Sequence, residues 1–569
     1  MTYGLLVTSD LGVTASSLAD ELLTLVCTAD PLGASLLGLP GYDDGLADMS
    51  AEAEDRYGAL FGDLAERAAA LDSQSLSETD RQTRDFVVHL ARTQRELAGL
   101  HTVEWTITDF FVAPAASLID LLPRIPLVTP EKAQGFLSRL GLFPTYFAAV
   151  ADRHREGLAA GRVPVASLVQ AAIDHLDRVL SDENLSGLRV PGGPGVTDEA
   201  AFTVERDRLL TEAVVPALTT YRDVLRNEVL PAGRPDDRVG LTFLPGGDDV
   251  YATLVRKHTS TNRTPEELHA VGLQIISALE SEYVELGTRV FGTGDLAEIF
   301  DRLRTDPALR YSDGDQMLAQ ARAAVERAWA AAPGWFGHRP STECVVEPVP
   351  AASAPGAPPA YYLPGAIDGS RKGTYFLNTY APTERFRHTA EVVAFHEAVP
   401  GHHFQISLAQ EKTGLPLARR LLNDTAYAEG WGLYCERLAA EMGLYSDDVA
   451  RLGMLSTDSW RAARLVVDTG IHSMGWSREQ AVTWMATHAP VSEKEIVTEV
   501  DRYIAYPGQA LSYMVGRLEL QALRARATKE LGDAFTLADF HDTVLGAGSL
   551  PLAVLNDVVD RWLSSCTAR

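Results

Sequence analysis

The sequence predicts a mainly α-helical protein with room for two lobes, on three observations. Through most of the first 230 residues, apolar side chains recur at three- and four-residue spacing, the period of a helix that buries one face. Around Thr264 a helix start is spelled out in full: Thr264 as N-cap, Pro265 as first helical residue and Glu267 as the return half of a capping box. One stretch, GTYFLNTY (Gly373 to Tyr380), has the aromatic and threonine content of a strand. With 569 residues, 46% of them hydrophobic and 22% charged, the chain has the make-up of an ordinary globular protein. Its length allows several domains or one large helical body in two lobes.

In order, LADELLTLVC, RDFVVHLARTQRELAGL, EKAQGFLSRLGLFPTYFAAVADRHREGLAAG and EAAFTVERDRLLTEAVVPALTTYRDVL carry the helical period. Leu185 to Glu199, rich in Gly and Pro, interrupts them as a surface loop. After the Thr264 helix, the Pro- and Ala-rich VEPVPAASAPGAPPAYYLPG forms an extended connection. The Gly373–Tyr380 strand comes next, and then a helix with a His-Glu pair. The expected division is an N-terminal helical lobe, 1–235, and a catalytic lobe, 236–569, within one continuous fold. No internal repeat is present.

A formal net charge of −27 argues against nucleic acid as partner, because binding phosphates requires a basic face. The first base is Arg56, so the N-terminus has neither the positive region of a secretory signal nor the arginines of a transit peptide. No apolar run reaches membrane-spanning length. The four cysteines (Cys27, Cys344, Cys435, Cys566) are far apart and form no C-x-x-C pair. These features lead to the expectation of a cytoplasmic protein with reduced thiols and no membrane partner. The oligomeric state stays open.

The chemistry concentrates in FHEAVPGHHFQ, Phe395 to Gln405. An H-E-x-x-H helix places two histidines one turn apart on one face, with the glutamate aimed at the attacking water. Here His396 and His402 are six apart, roughly 9 Å of rise on a straight helix and about 120° around it, which cannot close on one ion. Pro400 lacks the amide that would return to the His396 carbonyl, and Gly401 tolerates unusual dihedrals. Two residues looped out at Val399-Pro400-Gly401 would restore the one-turn relation. The spacing therefore predicts a broken helix with His396 and His402 as ligands. His403 is an alternative ligand or a supporting neighbour. Downstream, DTAYAEGWGLYCERLAAEMG supplies Glu429 as third ligand, with Glu436 on nearly the same face as acceptor for a ligand histidine N–H. Two histidines, a carboxylate and an open position describe a catalytic zinc site.

HEAVPGHHFQ, AEGWGLYCE, RLVVDTGIHSMGW and YPGQALSYMVG resemble the bacterial family known as domain of unknown function 885, over nearly the whole chain. That family looks distantly similar to helical zinc peptidases of the thimet-oligopeptidase and thermostable-carboxypeptidase type. The resemblance implies a mainly α, two-lobed body around a deep cleft, with a small β-sheet at the cleft edge. It also implies Glu397 as general base and a tyrosine or histidine donor to the oxyanion. Tyr513 is the first choice for that donor, with His472 and Tyr506 as alternatives. Arg371, Tyr375 and Asn378, on a strand able to pair with an extended peptide, are candidate substrate contacts together with Tyr506 and Arg464. An Arg464 or Arg502 facing the zinc would favour a free C-terminal carboxylate. The expected function is a zinc metallopeptidase-like hydrolase, of carboxypeptidase or oligopeptidase type, acting on the amide bond of short peptides. A zinc hydrolase of an amino-acid-derived metabolite and a non-catalytic binding protein are the alternatives.

Overall fold

Many helices in this chain begin where a short polar side chain can satisfy the free amides of a first turn. Thr14, Ser50, Ser77, Thr129, Thr264, Asp424 and Asp447 each accept a bond from an amide in the turn that follows. The computed structural model describes residues 13–350, 354, 357–369 and 371–567, which are mainly helical and include one three-stranded sheet. The reading of the extreme N-terminus falls partly on residues 1–12, outside the described residues.

The principal helices of the first half are α1 (Ala15–Ala29), α2 (Ala51–Ala69), α3 (Glu78–Ala98), α4 (Pro130–Ala159), α5 (Ala166–Ser181) and α6 (Val215–Val224). The last three close on a core of their own around Phe136, Phe143, Phe147, Ile173 and Leu218. By contrast, Leu22 of α1, Phe61 of α2 and Phe86 of α3 belong to the larger core shared with Trp431, Leu465 and Leu555. The separately packed unit runs mainly from Ile107 to Val229, and α1–α3 join the second half because their apolar faces are buried there.

Helix α7 (Pro265–Phe291) starts with the capping box expected of Thr264. The Glu267 amide donates to Thr264 Oγ1 (3.2 Å) and the Thr264 amide to Glu267 Oε2 (2.9 Å). The sheet follows, with β1 (Val345–Pro348), β2 (Ala360–Leu363) and β3 (Thr374–Leu377) in the order β1-β3-β2. The Pro- and Ala-rich stretch read as a connection therefore contributes most of β1 and all of β2. β3 is the central strand, parallel to β1 and antiparallel to β2, so both its edges are already paired. It cannot accept a peptide backbone, which corrects the strand-addition reading of GTYFLNTY.

The second half continues with α8 (Ala390–Glu397), α9 (His402–Glu411), α10 (Thr425–Glu441), α11 (Asp448–His472), α12 (Glu493–Ala505), α13 (Ser512–Leu531) and α14 (Leu552–Thr567). α11 is buried almost end to end and packs against α7, while α10 packs against both α8 and α13. Where α10 crosses α13, a Cβ on Gly430 would lie 2.4 Å from the Gly516 Cα, so the two backbones meet only because both residues are glycine. That crossing brings Glu429 and Tyr513, each close to its glycine, into one neighbourhood. Among the described residues no helix is long and apolar enough to cross a membrane.

Candidate metal centre

The His-Glu helix breaks where Pro400 and Gly401 stand. α8 ends at Glu397, Ala398 leaves helical geometry (φ −110°, ψ −91°), and α9 starts at His402. The Phe404 amide donates to the Ala398 carbonyl (3.3 Å), a bond that reaches six residues back instead of four. Two residues are thus looped out of the helical ladder. Gly401 passes so near the His396 carbonyl that a Cβ would sit 1.8 Å from its oxygen. From α10, Trp431 Nε1–H donates to the Pro400 carbonyl (2.8 Å) and the Cys435 thiol donates to the same oxygen (3.3 Å), holding the loop in place.

With the break made, His396 and His402 lie edge to face, ring centroids 4.7 Å apart. Glu429 Oε2 is 3.6 Å from His396 Nε2 and 3.4 Å from His402 Nε2. One ligand atom from each of the three residues falls within 4.8 Å of the others, a set able to hold one metal ion. Room for the His396 ring exists because residue 432 is glycine; a Cβ there would approach its Cε1 to 2.7 Å.

Glu436 accepts a bond from His396 Nδ1 (2.8 Å), and its other oxygen accepts from Thr457 Oγ1 (2.6 Å) on α11. With the proton on Nδ1, Nε2 is left to face Glu429 and His402. Nδ1 of His402 is buried with no partner among the described residues. The cluster attracts positive charge. Burial works against a charged His396, yet hydrogen bonds to Glu429 and Glu436 push its pKa up to about 9. Burial likewise raises Glu429, and bonds from the two histidines reverse that and hold it well below the usual carboxylate range.

Glu397 ends α8 beside the first histidine, and its carboxylate has no hydrogen-bond partner among the described residues. Tyr375, which is fully buried, has an unpartnered hydroxyl; burial first, and the Glu397 charge second, raise its pKa. The Tyr513 ring stacks near His396 (6.2 Å, 22°), and its hydroxyl bonds to no protein group among the described residues. Tyr506 lies under Lys257 Nζ (5.9 Å) and edge-on to His258. Arg464 donates to Tyr503 and Glu499 and covers the Tyr513 ring at 4.4 Å.

Four expected site residues are committed elsewhere. His472 accepts the Leu241 amide on Nδ1 (3.2 Å) and donates from Nε2 to the Tyr503 carbonyl (3.0 Å), so neither nitrogen can serve an oxyanion. Burial pushes its pKa down to about 3, which keeps the ring neutral. His403 donates from Nε2 to the Thr342 carbonyl (3.0 Å) and accepts on Nδ1 from Tyr362 (3.0 Å), tying α9 to the sheet instead of supporting the ligands. Asn378 uses its side chain on the Ala354 and Ala357 carbonyls and the Tyr380 amide. Arg371 donates to the Pro364 carbonyl and braces the β2–β3 turn. Sequence reasoning does not single out Trp431, Cys435 or Thr457. Of the three, Trp431 has a signal, its place inside EGWG next to the third ligand.

The profile of a family described as "Bacterial protein of unknown function (DUF885)" matches residues 31–559, and the chain belongs to that family. A protein from Colwellia psychrerythraea described as a lipoprotein superposes with a TM-score of 0.91 and 26% identity, over 97% of this chain and 99% of its own. A protein of unknown function from Shewanella oneidensis, also described as a lipoprotein, gives 0.76 and 16% over 96% and 100%. A protein from Bacillus anthracis described as an oligoendopeptidase F gives 0.32 and 11% over 90% and 96%, too low a likeness to argue from. No curated protein matches. The cytoplasmic placement does not stand, since the Colwellia protein, alike over nearly the whole chain, is described as a lipoprotein.

Proposed function

We propose that this member of the family is a zinc-dependent hydrolase that cleaves the amide bond of short peptides. The convergence of His396, His402 and Glu429 ligand atoms within 4.8 Å, directly beside Glu397, carries this reading. Two imidazoles and one carboxylate are the donor set of catalytic zinc, which when bound supplies a Lewis acid and makes water acidic enough to attack near neutral pH. Glu397 accepts the proton of the attacking water and returns it to the leaving amine as the new C–O bond forms and the C–N bond breaks. Tyr513, whose ring stacks near His396 and whose hydroxyl is unengaged, donates to the developing oxyanion. Glu436 and Thr457 keep the His396 ring aimed throughout. The protein works outside the cytoplasm, a placement supported by the likeness to the Colwellia protein described as a lipoprotein.

The test separates enzyme from binder. Glu397→Gln keeps the shape and a hydrogen bond to the water but cannot take its proton. The variant is expected to bind zinc like the wild type and to lose about 10²–10⁴-fold in turnover of whichever peptide a mixed dipeptide and tripeptide library identifies. Zinc lost with the substitution would make Glu397 a ligand; zinc and turnover both kept would place the base elsewhere.

A further inference from the structure

Beside the metal cluster, α11 presents a second constellation. Thr457, Arg461 and Arg464 are spaced four and three residues apart and so share one face of the helix. Thr457 is the residue that holds Glu436, and through it His396, so this face leads from the ligand cluster to the two arginines. Arg461 stacks on Trp460 (4.5 Å) and lies 5.8 Å from the centre of the Tyr513 ring, while Arg464 lies 4.4 Å from that centre. Tyr513 in turn stacks on His396. A single tyrosine ring separates the guanidiniums from a metal ligand.

Their hydrogen bonding is incomplete. Arg461 and Arg464 are only 8% and 3% exposed. Arg464 uses two nitrogens on Tyr503 and Glu499, and its Nη1 is buried without a partner. Arg461 has no ion pair among the described residues, and both its Nε and Nη1 are buried and unbonded. Arg502 satisfies itself on Glu499 and Gln509. Glu429 acts on Tyr513 in one sense and Arg464, Arg502 and Arg461 in the other, and Glu499 is the one carboxylate that pairs with any of the three arginines among the described residues. Three guanidiniums with one paired carboxylate between them stand in a chain whose formal charge is −27. A guanidinium stays charged in any protein setting, and a buried unpaired charge is costly. The two Nη groups at the end of an arginine match the two oxygens of a carboxylate, and no hydrogen bond engages either of them on Arg461 among the described residues.

We infer that Arg461, assisted by Nη1 of Arg464, binds the free C-terminal carboxylate of the substrate, so that the enzyme removes one residue at a time from a peptide's C-terminus. This rests on the hydrolase reading and specifies its substrate class. One water is consumed. Its oxygen joins the carbonyl carbon of the last peptide bond, the C–N bond breaks, and the proton goes to the departing amino group. The last residue becomes a free amino acid that departs once its carboxylate leaves Arg461, and the shortened peptide carries the new carboxylate.

The test is binding, read apart from turnover. A short peptide and its C-terminal amide are titrated calorimetrically into Glu397→Gln protein, once zinc-loaded and once chelated. The acid is expected to bind about 30-fold or more tightly than the amide, since losing one partner of a buried charge pair costs at least that much. The preference should hold in both states, because it comes from the arginines and not from the metal. Arg461→Met should erase the difference by weakening only the acid. It should also leave thermal stability unchanged or raised, because it removes an unpaired buried charge while keeping most of the packing. Arg461→Lys, a point charge without the fork, should keep part of the preference. Equal binding of acid and amide, a preference confined to the zinc-loaded protein, or one that survives Arg461→Met overturns the inference, as does a loss of stability in that variant. Failure to cleave any peptide, with the acid preference intact, would instead overturn the hydrolase reading alone.

Discussion

At the scale of single residues, the distinction that matters is between polar groups already engaged within the protein and those left without a partner among the described residues. His472, His403 and Asn378 are engaged: each side chain bonds in two directions within the fold. The carboxylate of Glu397 and the hydroxyl of Tyr513 are not; Glu397 adjoins His396 in the chain and its charge acts on that ring, and the Tyr513 ring stacks near it. This difference is not legible in the sequence, because HSMGW and SYMVG look equally promising until the partner of each side chain is known. Glu429 and Glu436 are legible, since a spacing of seven places both on one side of a helix whatever surrounds it. Tyr513→Phe tests the assignment. The variant should fold, bind zinc and keep its affinity for a substrate, and lose about 2.7–4 kcal/mol of transition-state stabilisation through the oxyanion. An unchanged kcat on a working peptide would transfer the role to Tyr506, whose hydroxyl is likewise unbonded among the described residues.

At the scale of elements, the break between α8 and α9 brings together two histidines six residues apart, as one metal ion would require. Its position is legible because the reasons are local: proline has no amide to donate, and a Cβ at 401 would strike the His396 carbonyl. What fastens the break is not legible, because it comes from another helix. Trp431 and Cys435 of α10 both reach the Pro400 carbonyl, and α10 also supplies Glu429, so one helix sets the loop and the carboxylate of the cluster together. Trp431→Phe keeps a packed ring and removes the donor. With the carbonyl losing its strongest buried bond, stability should fall by about 1–3 kcal/mol, measured by urea unfolding of the chelated protein. Zinc affinity should fall as well, because the loop no longer holds His402 to His396. Loss of stability with zinc affinity unchanged would mean that the histidines are positioned without the Trp431 bond.

At the scale of the whole molecule, burying polar rings makes stability depend on pH. Burial pushes the pKa of His154 and His541 down to about 4, of His388 and His472 down to about 3, and of His258 well below the ordinary histidine value. For a histidine with a folded-state value below its unfolded one near 6.5, stability is present at higher pH. It is lost as pH falls through about 6.5, where the unfolded chain takes up protons that the folded one refuses. His89, His175, His269 and His403 are lowered by burial too and act in the same sense. Burial also pushes Asp424 and Asp468 up to about 7. Those two act in the opposite sense: the folded protein holds their protons and the unfolded chain does not, which favours folding as pH drops below about 7. His396, pushed up to about 9, is largely protonated in both states below pH 6 and contributes little slope there. The carboxylates held low by partners, Glu429 and Glu499, titrate at still lower pH. The five deeply lowered histidines, set against the two aspartates, leave the unfolded chain about two to three protons ahead between pH 6 and 5. At roughly 1.4 kcal/mol per proton per pH unit, the metal-free protein should lose about 3–4 kcal/mol over that interval. Urea midpoints of chelated protein at pH 7, 6 and 5 check this directly, and His388→Gln should flatten the descent by about one proton's worth. A stability that stays level or climbs from pH 6 to 5 would show that these rings are hydrated or paired in solution, and that the buried aspartates govern the acid response instead.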